Sequence, residues 1–162
     1  MSVLSRREML ALSAAAGTAL AFSQWELLAQ GKLITKPIPS TGEPLPVIGL
    51  GSSATFAQVA RQEDVAALRE VLKTLVSSGA TLFDTAPSYG SSEEVAAKIA
   101  VETGLADKLF WATKLNVAGR SGAADPAAAR QQVETSFSRI KKAKIDLIQV
   151  HNMGDPPAQL KI

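Results

Sequence analysis

Cysteine is absent from this 162-residue chain, and histidine and tyrosine each occur only once. Without cysteine there is no disulfide framework and no thiolate to hold a metal, so the chain could live in either redox compartment. With a single histidine as well, no metal site is expected. An excess of one charge is also missing. The 17 basic and 15 acidic side chains leave a formal charge of +2, too balanced to point to nucleic acid. No apolar run reaches the roughly 20 residues needed to span a bilayer. What is present, 46% hydrophobic and 20% charged residues, fits one ordinary folded domain. The one basic cluster, Lys141, Lys142 and Lys144, is expected in the last turn of a helix, where cations complement the helix dipole.

The N-terminus reads as address rather than fold. Ser5-Arg6-Arg7-Glu8-Met9-Leu10 leads into an Ala/Leu-rich stretch that runs to Phe22. A basic start, a short apolar middle and small residues at its end make a signal peptide. The stretch lacks the amphipathic stripe of a packed helix, and its paired arginines resemble the twin-arginine export signal of bacteria. Residues 1–29 are therefore expected to be signal peptide and leader, with cleavage near residue 21 or 29. The expected destination is the periplasm or beyond, reached through the twin-arginine export machinery, with no stable membrane anchor.

From residue 30 to 162 the pattern becomes strand, loop, helix, repeated. Lys32-Leu33-Ile34 and Ile38 to Glu43 predict a small hairpin lead-in with a Thr-Gly turn. Leu45 to Gly51 predicts a buried strand, and Glu63 to Ser78 carries Val65, Leu68, Leu72, Leu75 and Val76 at helical spacing before Gly79. Thr81 to Asp84 predicts the second strand. A helix should open at Ser91–Glu94, where Ser91 and Glu94 have capping-box spacing, and end near Gly104. Leu109 to Lys114 predicts the third strand, and Asp125-Pro126 the start of a helix with Val133, Phe137 and Ile140 on one face. Ile145 to His151 predicts the fourth strand, and Asp155-Pro156 a further helix. Strands each followed by a helix imply parallel pairing through right-handed crossovers.

Periodicity alone does not separate an open doubly wound sheet from a closed barrel. Gly49-Leu50-Gly51-Ser52-Ser53-Ala54 matches the dinucleotide fingerprint only loosely, and no ribose-binding acid lies about 20 residues on. Polar residues at successive strand ends fit a TIM barrel, which builds its site on that face. A (β/α)8 TIM barrel takes eight units and about 250 residues. Four units are read here, so the chain is expected to be a half-barrel of a larger α/β parent, preceded by the hairpin and the signal peptide.

Asp84, Lys114 and His151 each close a predicted strand, and Tyr89 follows the first of them in Phe83-Asp84-Thr85-Ala86-Pro87-Ser88-Tyr89-Gly90. Taken singly, each has an ordinary role. Asp84 suits a turn, Tyr89 suits packing, Lys114 suits a wet strand end, and a lone histidine is usually structural. Together they place a carboxylate, a phenol, an ammonium and an imidazole on one face. An ammonium beside a phenol favours its ionised form and makes it a usable proton donor and acceptor.

This layout resembles the aldo-keto reductase family. The resemblance rests on Leu50-Gly51, on the Asp84 to Gly90 segment with Ser92-Glu93 after it, on Ala112-Thr113-Lys114, and on Ile145-Asp146-Leu147 with Val150-His151-Asn152. It covers the chain from about Lys32 onward. It implies a catalytic tetrad of Asp84, Tyr89, Lys114 and His151. Tyr89 would be the general acid, Lys114 its activating ammonium, Asp84 the anchor of Lys114, and His151 the orienting group for a carbonyl. It further implies hydride from NADPH, an aldehyde or ketone as small-molecule substrate, Gly51 and Ser52 near the cofactor and Asn152 near the substrate. Most of that family's cofactor contacts lie in the second half of its barrel, so the 162 residues alone are expected to be inactive. Two rival readings remain open. One is a Schiff-base enzyme using Lys114, and the other is a nicotinamide-binding accessory or sensor barrel with little turnover.

Overall fold

The computed structural model describes residues 33–53, 55–61, 65–116, 125–152 and 156–162. The expected leader, residues 1–29, and Asp155 lie outside the described residues. The lead-in hairpin is present, with β1 (Thr35–Pro37) antiparallel to β2 (Pro44–Pro46) and Thr35 opposite Pro46. Its turn takes up residues 38–43. Ile38 N–H donates to Glu43 O at 2.8 Å, and Gly42 adopts a φ of +74°, which a glycine reaches without strain. The Thr41-Gly42 turn is thus where expected, but Ile38 to Glu43 is the loop rather than its strand.

The larger sheet has four parallel strands, β3 (Leu50–Gly51), β4 (Leu82–Asp84), β5 (Phe110–Leu115) and β6 (Leu147–Val150), in that spatial order. Chain order and spatial order coincide, as repeated strand-helix units require. The strand expected over Leu45–Gly51 is divided between the two sheets. Leu45 and Pro46 belong to the hairpin, Val47 N–H donates to Ile34 O at 3.0 Å, and Ile48 is 68% exposed. The break has a backbone cause. Residues up to Val47 are committed to the hairpin partner, and the chain must then turn over Leu82 to enter the parallel sheet. At Gly49 a β-carbon would come within 2.7 Å of the Leu82 side chain.

The helices follow their apolar spacing. A short α1 (Thr55–Arg61), not foreseen, buries Phe56 and Ala57. In α2 (Val65–Ser77) Leu68 and Leu72 are buried. It ends with Gly79 at φ +85°, whose N–H reaches Val76 O at 3.0 Å while Ala80 N–H reaches Leu75 O at 3.1 Å. That pair of bonds is a Schellman ending. α3 (Ser92–Glu102) ends the same way at Gly104, φ +68°, with Leu105 N–H on Ala100 O at 2.8 Å. The expected capping box does not form at its start. Ser91 lies at φ −88°, ψ 13°, outside the extended backbone an N-cap needs, and its hydroxyl makes no capping bond. In α4 (Pro126–Ile140) the expected cap does form, Asp125 Oδ1 accepting from Ala127 N–H at 2.9 Å. A final helix, α5 (Pro156–Lys161), starts at the expected proline.

The lysine cluster lies beyond α4 rather than in its last turn. Lys141 is the left-handed cap at φ +57°, Lys142 pairs with Asp107, and Lys144 pairs with Asp146 at 2.8 Å. The hydrogen bond that Lys144 donates to Asp146, reinforced by the carboxylate's charge, holds Lys144 above its ordinary pKa. The core between sheet and helices centres on Phe83 and Trp111. Their rings meet edge to face at 5.4 Å, Phe56 adds a second such contact at 5.3 Å, and Leu72, Ile99 and Ile140 close around them. Among the described residues no helix is long and apolar enough to cross a membrane.

Candidate active site

Because β3 to β6 are parallel, their C-terminal ends share one edge, and loops leaving that edge meet there. Asp84 is the last residue of β4, Lys114 is near the end of β5, and His151 follows β6 directly. The His151 N–H continues the ladder by donating to Leu115 O at 2.9 Å. Tyr89 hangs from the loop after β4, whose turn is closed by Tyr89 N–H on Ala86 O at 3.0 Å. Gly90 follows at φ +63°, where an added β-carbon would lie 3.3 Å from the Ala57 side chain of α1.

The four side chains come together. Lys114 Nζ donates to Asp84 Oδ2 at 2.5 Å and to Thr85 O at 2.9 Å. It is thereby fixed at the strand end, with its side chain only 13% exposed. The same Nζ lies 5.2 Å from the centre of the Tyr89 ring. The Tyr89 ring also meets His151 edge-on, with centroids 5.5 Å apart and planes at 85°. Ser88 Oγ is 3.3 Å from His151 Nδ1, so a hydrogen bond to one imidazole nitrogen leaves Nε2 as the free one for another partner. A cleft of about 250 Å³, lined by Pro87, Ser88, Asn116, Gln132 and His151, opens at this end.

The remaining expected residues divide. Ser52 N–H donates to Asp84 O at 2.9 Å, which puts Gly51 and Ser52 one strand away from the tetrad. The Ser52 hydroxyl is buried with no hydrogen-bond partner among the described residues, as is that of Thr85. A β-carbon on Gly51 would meet nothing within 4 Å. Asn152 turns instead toward the loop after β5. Its Nδ2 donates to Asn116 Oδ1 at 3.3 Å, and its carbonyl accepts from Gln159. Asn116 is itself clamped by Gln132, which accepts from its N–H at 3.0 Å and donates to its carbonyl at 2.7 Å.

Two residues that strand-end reading passed over also belong here. Gln149 donates to Asp84 Oδ1 at 2.8 Å. Glu93, fully buried in the first turn of α3, accepts from Thr113 Oγ1 at 2.7 Å and from Ser136 Oγ at 2.8 Å, and it pairs with Arg139 at 3.2 Å. Arg139 also donates to Pro87 O at 3.3 Å, which ties α4 to the loop carrying Tyr89. The period-two alternation of a strand could have found Gln149, since it falls two residues before His151. Nothing in the sequence marked Glu93 as the acid that turns inward.

Comparison with known proteins places the fold in a family. The model of the Aldo/keto reductase family matches residues 47–158. Aldo-keto reductase YhdN of Bacillus subtilis is 34% identical over 120 residues, which cover 70% of this chain and 36% of that protein. Two aldo-keto reductase crystal structures from Klebsiella pneumoniae superpose well. One, in complex with NADP and acetate, gives a TM-score of 0.55 at 31% identity, over 72% of this chain and 38% of that one. The other, in complex with NADPH, gives 0.57 at 28% identity, over 80% and 44%. The chain therefore spans less than half the length of each of these relatives. The matched region contains the four described strands of the parallel sheet, the three strand-end side chains Asp84, Lys114 and His151, and Tyr89. The chain belongs to the aldo/keto reductase family.

Proposed function

We propose that the complete protein reduces an aldehyde or ketone with NADPH, and that this chain forms the first half of its (β/α)8 barrel. The observation that carries the reading is the contact of Tyr89 with both an anchored ammonium and an imidazole. Tyr89 gives its proton to the carbonyl oxygen. Lys114, aimed by Asp84 and Thr85 O, stabilises the negative charge left on the phenol as the proton departs. His151 orients the carbonyl through the ring nitrogen not facing Ser88. The same ion pair argues against a Schiff-base role, since the amine nitrogen is already engaged by a carboxylate at 2.5 Å and a carbonyl at 2.9 Å.

The described residues suit the nicotinamide end of the cofactor. Gly51 leaves open space at the strand end, and the buried hydroxyls of Ser52 and Thr85 lack partners among the described residues. When bound, NADPH would supply the hydride, and Gly51 and Ser52 would line its place beside Asp84. Asn152 would border the substrate through its link to Asn116. The 162 residues alone are expected neither to bind NADPH tightly nor to turn over an aldehyde, whereas the complete protein does both. Titration of each with NADPH, read by nucleotide fluorescence and followed by an aldehyde-dependent loss of NADPH, checks this. Micromolar saturable binding with turnover by the 162-residue chain overturns the half-barrel part.

The leader, residues 1–29, would carry the protein out of the cytoplasm through the twin-arginine route. Substituting both Arg6 and Arg7 by lysine is expected to stop export of a reporter fused behind residue 29. Unchanged localisation of that reporter would refute the assignment.

A further inference from the structure

A carboxylate held at one oxygen still turns about its last bond, because the terminal torsion of aspartate is broad rather than three-welled. Asp84 is held at both oxygens. Lys114 takes Oδ2 at 2.5 Å, and Gln149 Nε2 takes Oδ1 at 2.8 Å. Gln149 stands opposite Lys114 in the pairing of β6 with β5, so both side chains leave the sheet on the same face. The donor is a neutral amide. A cation in its place would compete with Lys114 for the carboxylate, and an acid would repel it.

We infer that Gln149 is a positioning residue of the catalytic centre, fixing the Asp84 carboxylate so that Lys114 stays directed at Tyr89. This rests on the reading of Tyr89 as general acid. Of the charged and titratable groups around it, Lys114 from β5 contacts Asp84 directly, Tyr89 from the loop after β4 follows beyond Lys114 Nζ, and His151 after β6 lies against Tyr89. Gln149 reaches that set from β6, so it links the strand that carries His151 to the pair that serves Tyr89. Without it Asp84 can swing, and Lys114 can follow the carboxylate away from the phenol. Such a change costs turnover and leaves cofactor affinity unchanged.

The test uses the complete protein, with kcat and KM for NADPH-dependent aldehyde reduction measured across pH, NADPH binding, and thermal unfolding of each variant. Gln149→Leu is expected to lower kcat about ten- to a hundredfold, the scale of one hydrogen bond to a charged group, with NADPH affinity kept. Gln149→Glu keeps the shape and adds a second titration. Two facing carboxyl groups cannot both ionise freely, so one holds its proton to a raised pH. At acid pH the introduced carboxyl is protonated, donates to Asp84 Oδ1 as the amide did, and supports near-wild-type turnover. As pH rises and it ionises, kcat falls along a limb that wild type lacks. Should Gln149→Leu fail to fold, this limb in the near-isosteric Gln149→Glu decides the question. Wild-type kcat in Gln149→Leu, a wild-type pH profile in Gln149→Glu, or a pH-independent loss that tracks thermal unfolding overturns the positioning role. Tyr89→Phe run alongside separates the two levels. Activity retained there removes the tyrosine reading and this inference together. Activity lost there, with either overturning result at Gln149, removes this inference alone.

Discussion

Tyr89→Phe in the complete protein is expected to lower kcat for carbonyl reduction by about 10²–10⁴-fold, the usual contribution of a positioned general acid. NADPH affinity should change little. The substitution removes one oxygen and keeps the ring, so the edge-on contact with His151 at 5.5 Å and the packing near Lys114 persist. What disappears is the phenolic proton donor that lies against both the ammonium and the imidazole. Lys114→Met should be comparably severe, because it strips charge stabilisation from the phenol and leaves Asp84 Oδ2 and Thr85 O without their donor. His151→Gln should cost less, since an amide can still donate to the carbonyl oxygen. Steady-state kinetics with NADPH dissociation constants for the three variants check the order. Equal activity in wild type and Tyr89→Phe would remove the mechanism.

The second large effect concerns stability. Glu93→Ala should destabilise the complete protein by about 3–5 kcal/mol, the scale of breaking a buried ion pair from one side. It leaves the buried hydroxyls of Thr113 and Ser136 without their acceptor and opens a space where the side chain was fully covered. Arg139 is partly exposed and can turn to water, which places the loss toward the lower end of that range. Glu93→Gln keeps an acceptor for the hydroxyls and should cost clearly less. Against a net stability of about 5–15 kcal/mol, the alanine variant loses a large fraction. The check is urea unfolding. A lower midpoint with an unchanged slope is expected, and an unchanged midpoint in Glu93→Ala would contradict the role assigned to this network.

Much of this architecture is legible in the residues themselves. Gly79 and Gly104 end their helices where the apolar spacing stops, and Asp125-Pro126 opens α4 with the expected cap. Asp84, Lys114 and His151 were found because each closes an apolar run, and parallel pairing then carries all three to one edge. What stayed hidden was decided by partners distant in sequence. Glu93 and Glu94 look alike as acids in a helical first turn. Only the arrival of Thr113, Ser136 and Arg139 shows that Glu93 turns inward and that the cap expected of Glu94 is unused. Leu45 to Gly51 reads as one apolar strand, yet the hairpin claims its first residues and leaves Val47 and Ile48 exposed. Gln149 is hidden for a simpler reason: it lies inside β6, not at its end, and its one sequence signal is its period-two relation to His151.

The sequential order of β3 to β6 also bears on how the protein is made. Each of the four described parallel strands pairs with its neighbour in chain order, so none of these three pairings waits for a segment made later than the fourth strand. Contacts between near neighbours in sequence form fast, and domains emerging from the ribosome fold from their N-terminal side. Asp84 and Lys114 are separated by 30 residues and Asp84 and Gln149 by 65. During translation the ion pair can therefore close first, and the strand bearing Gln149 and His151 then docks onto an anchor already set. Arrest of the nascent chain between the third and fourth parallel strands would catch the protein with its acid and ammonium paired and its imidazole still unmade.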